Sequence, residues 1–139
     1  PLQRFAHINF IKYRRALGLI AFVYVTMHVG VYLLFDRQLD WSVIWADVWK
    51  RPYITIGVMS FLLLLPLAIT SNNWSLRKIG AQMWRRIHQL IYLAAPLGAL
   101  HYLLLVKAWP LAPIVYLALM ILLVAIRIFW SSPFRRFMR

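Results

Sequence analysis

The chain has 139 residues, 63% of them hydrophobic, with a mean hydropathy of +0.71; soluble domains are about 45–50% apolar, so a soluble enzyme is excluded and a membrane protein expected. The formal charge of +13 is clustered between apolar runs, where anionic headgroups and the positive-inside rule explain it better than nucleic acid does. Cysteine is absent, which removes disulfides, thiolate metal sites and thiol nucleophiles.

Residues 1–15 (PLQRFAHINFIKYRR) are basic and aromatic, an interfacial lead-in rather than a span, and His7 within it is not read as a ligand. The chain opens on Pro1 with no apolar signal segment, and a fragment of a longer protein is expected. Apolar runs follow at 16–35, 53–70, 90–106 and 111–126. A helix crossing about 30 Å of hydrocarbon needs roughly 20 residues, which the later runs reach once 87–89 and 127–130 are added, Arg127 snorkelling to the interface. The expected fold is all-α, a single domain of four transmembrane helices at about 16–35, 53–70, 87–106 and 111–130.

The connections set the orientation. The lead-in carries Arg4, Lys12, Arg14 and Arg15 without an acid, and 71–86 carries Arg77, Lys78, Arg85 and Arg86 without one. In 36–52, Arg37, Lys50 and Arg51 are balanced by Asp36, Asp40 and Asp47; Lys107 stands alone, and the tail ends in Arg135, Arg136 and Arg139. Positive residues favour the cytoplasm, so both termini and 71–86 are placed there. Trp41, Trp45 and Trp49, four residues apart, form one helical stripe, read as an aromatic belt anchor, with a docking surface for an external partner as the alternative. Pro66 and Pro96 are expected to kink their spans. Ser60 and Thr70 read as interhelical hydrogen-bonders.

An imidazole in hydrocarbon needs a partner, because an unsatisfied polar group there costs about 1–3 kcal/mol or more. His28 lies about 18 Å into the first span and His101 about 21 Å into the third, at 1.5 Å per residue. Both helices run outward, so the two rings are level in the outer half of the membrane. Facing imidazoles at one depth suit the two axial positions of a haem iron; for either alone, a bond across helices is the competing reading. Zinc would need three or four protein ligands, and the spans offer no cysteine or carboxylate. His88, beside Arg85 and Arg86, sits at the cytoplasmic mouth and is read either as a cofactor ligand or as a headgroup-level polar residue. On an ideal helix it lies roughly 140° from His101. Arg14, about 40° out of phase with His28, forms with His88 a candidate inner pocket, where the guanidinium suits a propionate or phosphate.

The strings YRRALGLIAFVYVTMH, RPYITIGVMSFLLLLPLAITS and RKIGAQMWRRIHQLIYLAAPLGALHYLLLVK together resemble the MsrQ family, haem-binding membrane subunits of the bacterial periplasmic methionine sulfoxide reductase system, within the ferric-reductase-like transmembrane group. The likeness runs from about Arg14 to Arg127. It implies a six-helix b-type cytochrome of the bacterial inner membrane, of which two helices would precede Pro1. It implies electrons taken from the quinone pool or a cytoplasmic flavin reductase and passed to a periplasmic molybdenum subunit that reduces methionine sulfoxide. It places the family's key histidines on His28, His88 and His101, with one or two haems b, and adds flavin mononucleotide as an attributed cofactor. Related oxidases carry a second histidine where this chain has Arg14. Two rival functions stay open: a metal reductase of the same superfamily, and a transporter using histidines as proton relays, against which the lack of intramembrane carboxylates counts.

Overall fold

The computed structural model describes residues 13–106 and 111–131; His7, Lys107 and the arginines of the tail lie outside them. Helix α1 is Arg14–Val31, prolonged by a π-helical turn, Tyr32–Asp36. It is followed by α2, Trp41–Lys50; α3, Pro52–Ile69; α4, Asn73–His88; α5, Ile91–Leu105; and α6, Leu111–Ser131. No strand occurs among the described residues. Two helices, Arg14–Asp36 and Pro52–Ile69, and the run Asn73–Leu105 are long and apolar enough to cross a membrane, with Leu111–Arg127 a shorter apolar helix. The protein is an all-α membrane protein.

Local chemistry sets the helix starts. The Asp40 carboxylate accepts from the Ser42 and Val43 amides at 2.9 and 3.3 Å and from the Ser42 hydroxyl at 2.6 Å, capping α2. The Ser42 hydroxyl, then the Val43 amide, hold this carboxyl below its ordinary value. Pro52 opens α3 in the first-turn position where its missing N–H costs nothing. Asn72 caps α4 by accepting from the Ser75 amide at 2.6 Å.

One expectation is corrected here. Residues 71–86 are not a plain connection: most of them form α4, bent at Gly80, whose φ of 77° favours glycine. Within the third span the backbone at Gln89–Leu90 stays in the right-handed helical region but its hydrogen bonds tighten to three residues, so α4 ends at His88 and α5 begins at Ile91 inside one run, Asn73–Leu105. Pro66 and Pro96 sit inside helices that continue past them.

Helix α3 is the centre of the bundle, packed against α1, α2, α4 and α5, while α6 packs on α5. Tyr53 meets His101 and Ser60 meets Ala94, so α3 and α5 are antiparallel. Phe22 stacks on Phe61 at 6.0 Å and Arg15 reaches Ser71, so α1 is antiparallel to α3 as well. The first and fifth helices therefore run in the same direction. The Ser60 hydroxyl donates to the Ala94 carbonyl at 2.9 Å, across a seam where Ala94 and Gly98 repeat the four-residue small spacing of close membrane packing. Thr70 differs from expectation: its hydroxyl donates within its own helix, to the Pro66 carbonyl at 2.6 Å, a one-turn back-bond open to any threonine. The interhelical bond there comes instead from Trp84 Nε1 to the Thr70 carbonyl, at 2.9 Å.

At one end α2 is fastened by a buried carboxylate. Asp47, 6% exposed, pairs with Arg37 at 2.6 Å and Arg51 at 3.0 Å and accepts from the Tyr32 hydroxyl at 2.9 Å. Thr55 donates to the Val48 carbonyl, joining α2 to α3. Ile44 is buried on the same face, whereas Trp41, Trp45 and Trp49 are all exposed on the other. Asp47→Asn should lower stability in detergent by about 1–3 kcal/mol, because two guanidinium groups and a phenol lose their shared acceptor charge. Thermal unfolding measures this, with the exposed Asp36→Asn as a control that should change little.

Candidate functional site

His28 and His101 come together near the α2 end of the bundle. The antiparallel registers on α3 bring them level, since both helices start from the far end and each is fixed against the same central helix. Their ring centroids are 6.2 Å apart, with planes 68° from each other. His101 is half-buried and its Nδ1 donates to the Tyr53 carbonyl at 2.7 Å; the Tyr53 ring lies 6.5 Å away. A carbonyl can only accept, so a neutral His101 carries its proton on Nδ1 and keeps the Nε2 lone pair free. His28 is exposed on a helix without a buried residue.

This arrangement fits a pair of axial ligands. Imidazole nitrogens bond metals at about 2.0 Å, so rings on opposite sides of one ion hold their centres about 6 Å apart. The ring-to-carbonyl bond is the outer-shell support that ligating histidines commonly have. Among the described residues no three of His, Cys, Asp and Glu gather into a metal-binding group. Two imidazoles without a third protein donor match a macrocycle that fills the remaining positions itself.

The other end holds a cleft of about 420 Å³. Gly18, Leu19 and Phe22 of α1, with Leu64, Leu67 and Ala68 of α3, make its apolar walls, and Arg14, Ser71, Trp84 and His88 its polar part. The His88 ring stacks on Trp84 at 3.8 Å, the two planes 23° apart. Its Nδ1 donates to the Trp84 carbonyl at 3.1 Å. Nε2 stands 3.4 Å from the Ser71 hydroxyl oxygen, whose own proton goes to the Leu67 carbonyl at 2.6 Å. In the neutral ring Nε2 is thus again an unprotonated acceptor. Arg15 donates to the Ser71 carbonyl at 2.5 Å and to Asn73 at 2.7 Å, tying α1 to the start of α4. All three carboxylate side chains of the chain lie between residues 36 and 47, so none opposes the positive charge around this cleft.

Arg14 and His88 therefore line one cleft, and His28 and His101 form a separate pair. His88 closes α4 and His101 belongs to α5, both within the run Asn73–Leu105. Sequence reasoning missed Tyr53, Ser71 and Trp84. Trp84 was within reach, since it precedes His88 by four residues and so shares its face. A main-chain carbonyl such as that of Tyr53 has no residue-type signature.

Residues 1–99 match the model of the family described as ferric reductase like transmembrane component. The chain is 47% identical over 116 residues to the protein-methionine-sulfoxide reductase heme-binding subunit MsrQ of Brucella anthropi, which covers 84% of this chain and 52% of that protein. It is 45% identical over 136 residues to the protein of the same name from Brucella ovis, covering 98% of this chain and 60% of that protein. The chain thus spans between half and two thirds of these relatives. No solved structure matches it.

Trp84→Phe should keep a ring against His88 while removing the donor to the Thr70 carbonyl. The expected cost is about 0.5–1.5 kcal/mol, read by thermal unfolding, with Trp84→Ala costing more because the wall of the cleft is then lost.

Proposed function

The chain belongs to the ferric-reductase-like transmembrane family, and from that premise we propose that it forms the haem-binding part of a b-type cytochrome subunit in a bacterial inner membrane. In this reading, electrons enter from the quinone pool or a cytoplasmic flavin reductase and leave to a periplasmic methionine sulfoxide reductase catalytic subunit. The observation that carries the reading is the level pair His28 and His101, with ring centres 6.2 Å apart. They would hold the iron of one haem b between them. A haem held there supplies a one-electron couple whose potential the protein tunes through ligands and surroundings. The chain's own part is to bind and to position. Tyr53 orients His101 and increases its basicity through the Nδ1 bond.

Arg14 and His88 form the inner cofactor site. The cleft between them accepts a group with an apolar body and an acidic substituent, a second haem through its propionate or flavin mononucleotide through its phosphate, with His88 Nε2 as the iron ligand in the first case. The positive-inside rule turns Arg14, Arg15 and α4 toward the cytoplasm and α2 outward, with the carboxyl terminus cytoplasmic. Trp41, Trp45 and Trp49 then anchor α2 in the outer interface. The four helices are part of the six-helix bundle of a larger subunit, in keeping with the share of the relatives that the chain spans.

His28→Ala and His101→Ala should each strip or destabilise the same haem in the full-length protein, measured by pyridine haemochrome and the Soret band. His88→Ala should spare that haem and slow electron entry instead. Equal haem loss from all three variants would contradict the division of roles. No Soret band in wild-type protein made with ample haem would leave the transporter reading ahead, and reduction of iron chelates without any protein partner would favour a metal reductase.

A further inference from the structure

Glycine is among the least favoured residues in a helix interior, yet Gly57 stands in the middle of α3. The surroundings of the chain's five glycines differ sharply. A Cβ at Gly18 or Gly30 would meet nothing within 4 Å, and one at Gly98 would touch Ser60 Oγ at 3.5 Å, an ordinary contact. Gly80 is explained by its positive φ of 77°. A Cβ at Gly57 would fall 2.8 Å from His101 Nδ1, 2.9 Å from Cε1 and 3.3 Å from Cγ. Real side chains do not approach so closely.

The nearest of those atoms, Nδ1, is the one that donates to the Tyr53 carbonyl at 2.7 Å. Residues four apart lie one above the other on a helix face, so any side chain at position 57 would hang beside the carbonyl of residue 53. That carbonyl already serves the helix ladder, and His101 reaches its second lone pair past the side that Gly57 leaves bare. The ring cannot retreat from an added methyl without stretching its own hydrogen bond.

We infer that Gly57 is a positioning residue: by lacking a side chain it uncovers the Tyr53 carbonyl, and that carbonyl fixes the tautomer and ring plane of His101. The geometric part stands on the apo protein alone. The consequence for haem rests on His101 being an axial ligand, as proposed above. With Nδ1–H bound to a carbonyl, the imidazole is a stronger donor through Nε2 and favours the oxidised, more positive iron.

The test compares Gly57→Ala with Gly98→Ala, a glycine on the opposite side of the same α3–α5 seam. Ring-nitrogen NMR of ¹⁵N-histidine-labelled apo protein reads the tautomer directly, with His101→Ala to assign the signal. Wild type and Gly98→Ala should show His101 protonated at Nδ1, and Gly57→Ala should lose that signature. In the haem-loaded full-length protein, Gly57→Ala should weaken haem binding about 10–100-fold and either raise the midpoint potential or give a high-spin spectrum, while Gly98→Ala keeps both. An unchanged tautomer in Gly57→Ala, or equal changes in the two glycine variants, overturns the inference. Should Gly57→Ala fail to fold, the double variant with His101→Ala removes the clash and should recover the stability of His101→Ala; no recovery also overturns it. A wild-type protein that takes up no haem would sink the proposed function while the tautomer measurement still decides the role of Gly57.

Discussion

The contact on which this structure depends is the seam between α3 and α5. It is antiparallel, it contains the Ser60 to Ala94 bond at 2.9 Å, and it ends in the His101 to Tyr53 bond at 2.7 Å. In a bilayer no hydrophobic force pushes helices together, so close packing of small residues and a few interhelical hydrogen bonds must supply the association. The seam provides both. Once it is set, the height of His101 is set with it. Helix α1 is placed against the same α3 by the Phe22–Phe61 stack, and so His28 arrives at the same height.

Little of the chain is buried in itself. Ile44, Leu67 and Ala94 are its buried hydrophobics among the described residues, while Leu, Ile, Val and aromatic side chains stay exposed along α1 and α6. In water this would be an aggregation hazard. In lipid it is the natural outcome, since the acyl chains solvate those faces as well as another helix would. Polar anchorage is concentrated at the ends instead. Asp47 gathers Arg37, Arg51 and Tyr32 at one, and Arg15 gathers Ser71 and Asn73 at the other.

This separation gives the two histidine sites different characters. The His28–His101 pair lies at the end with the carboxylates, and His101 is held there by a main-chain acceptor. His88 lies at the wholly basic end, in a cleft with Arg14 and on the face of Trp84. One site suits ligation of a metal from two sides. The other suits an acidic group on an apolar body.

Composition and pattern alone determined that this is a helical membrane protein, where its long apolar stretches lie, and that His28 and His101 share a level. These follow from properties each segment carries locally: hydropathy over about 20 residues and a rise of 1.5 Å per residue. Arg14 and His88 could be paired in advance on the same arithmetic. Only the tertiary structure decided that Trp84 bonds the Thr70 carbonyl, that Asp47 is a buried clamp, and that Gly57 makes room for a ring. Each of those depends on which atoms a neighbouring helix brings near. A carbonyl is common to every residue and a missing Cβ has meaning only beside the group that fills its place, so neither can be read along a single strand of letters.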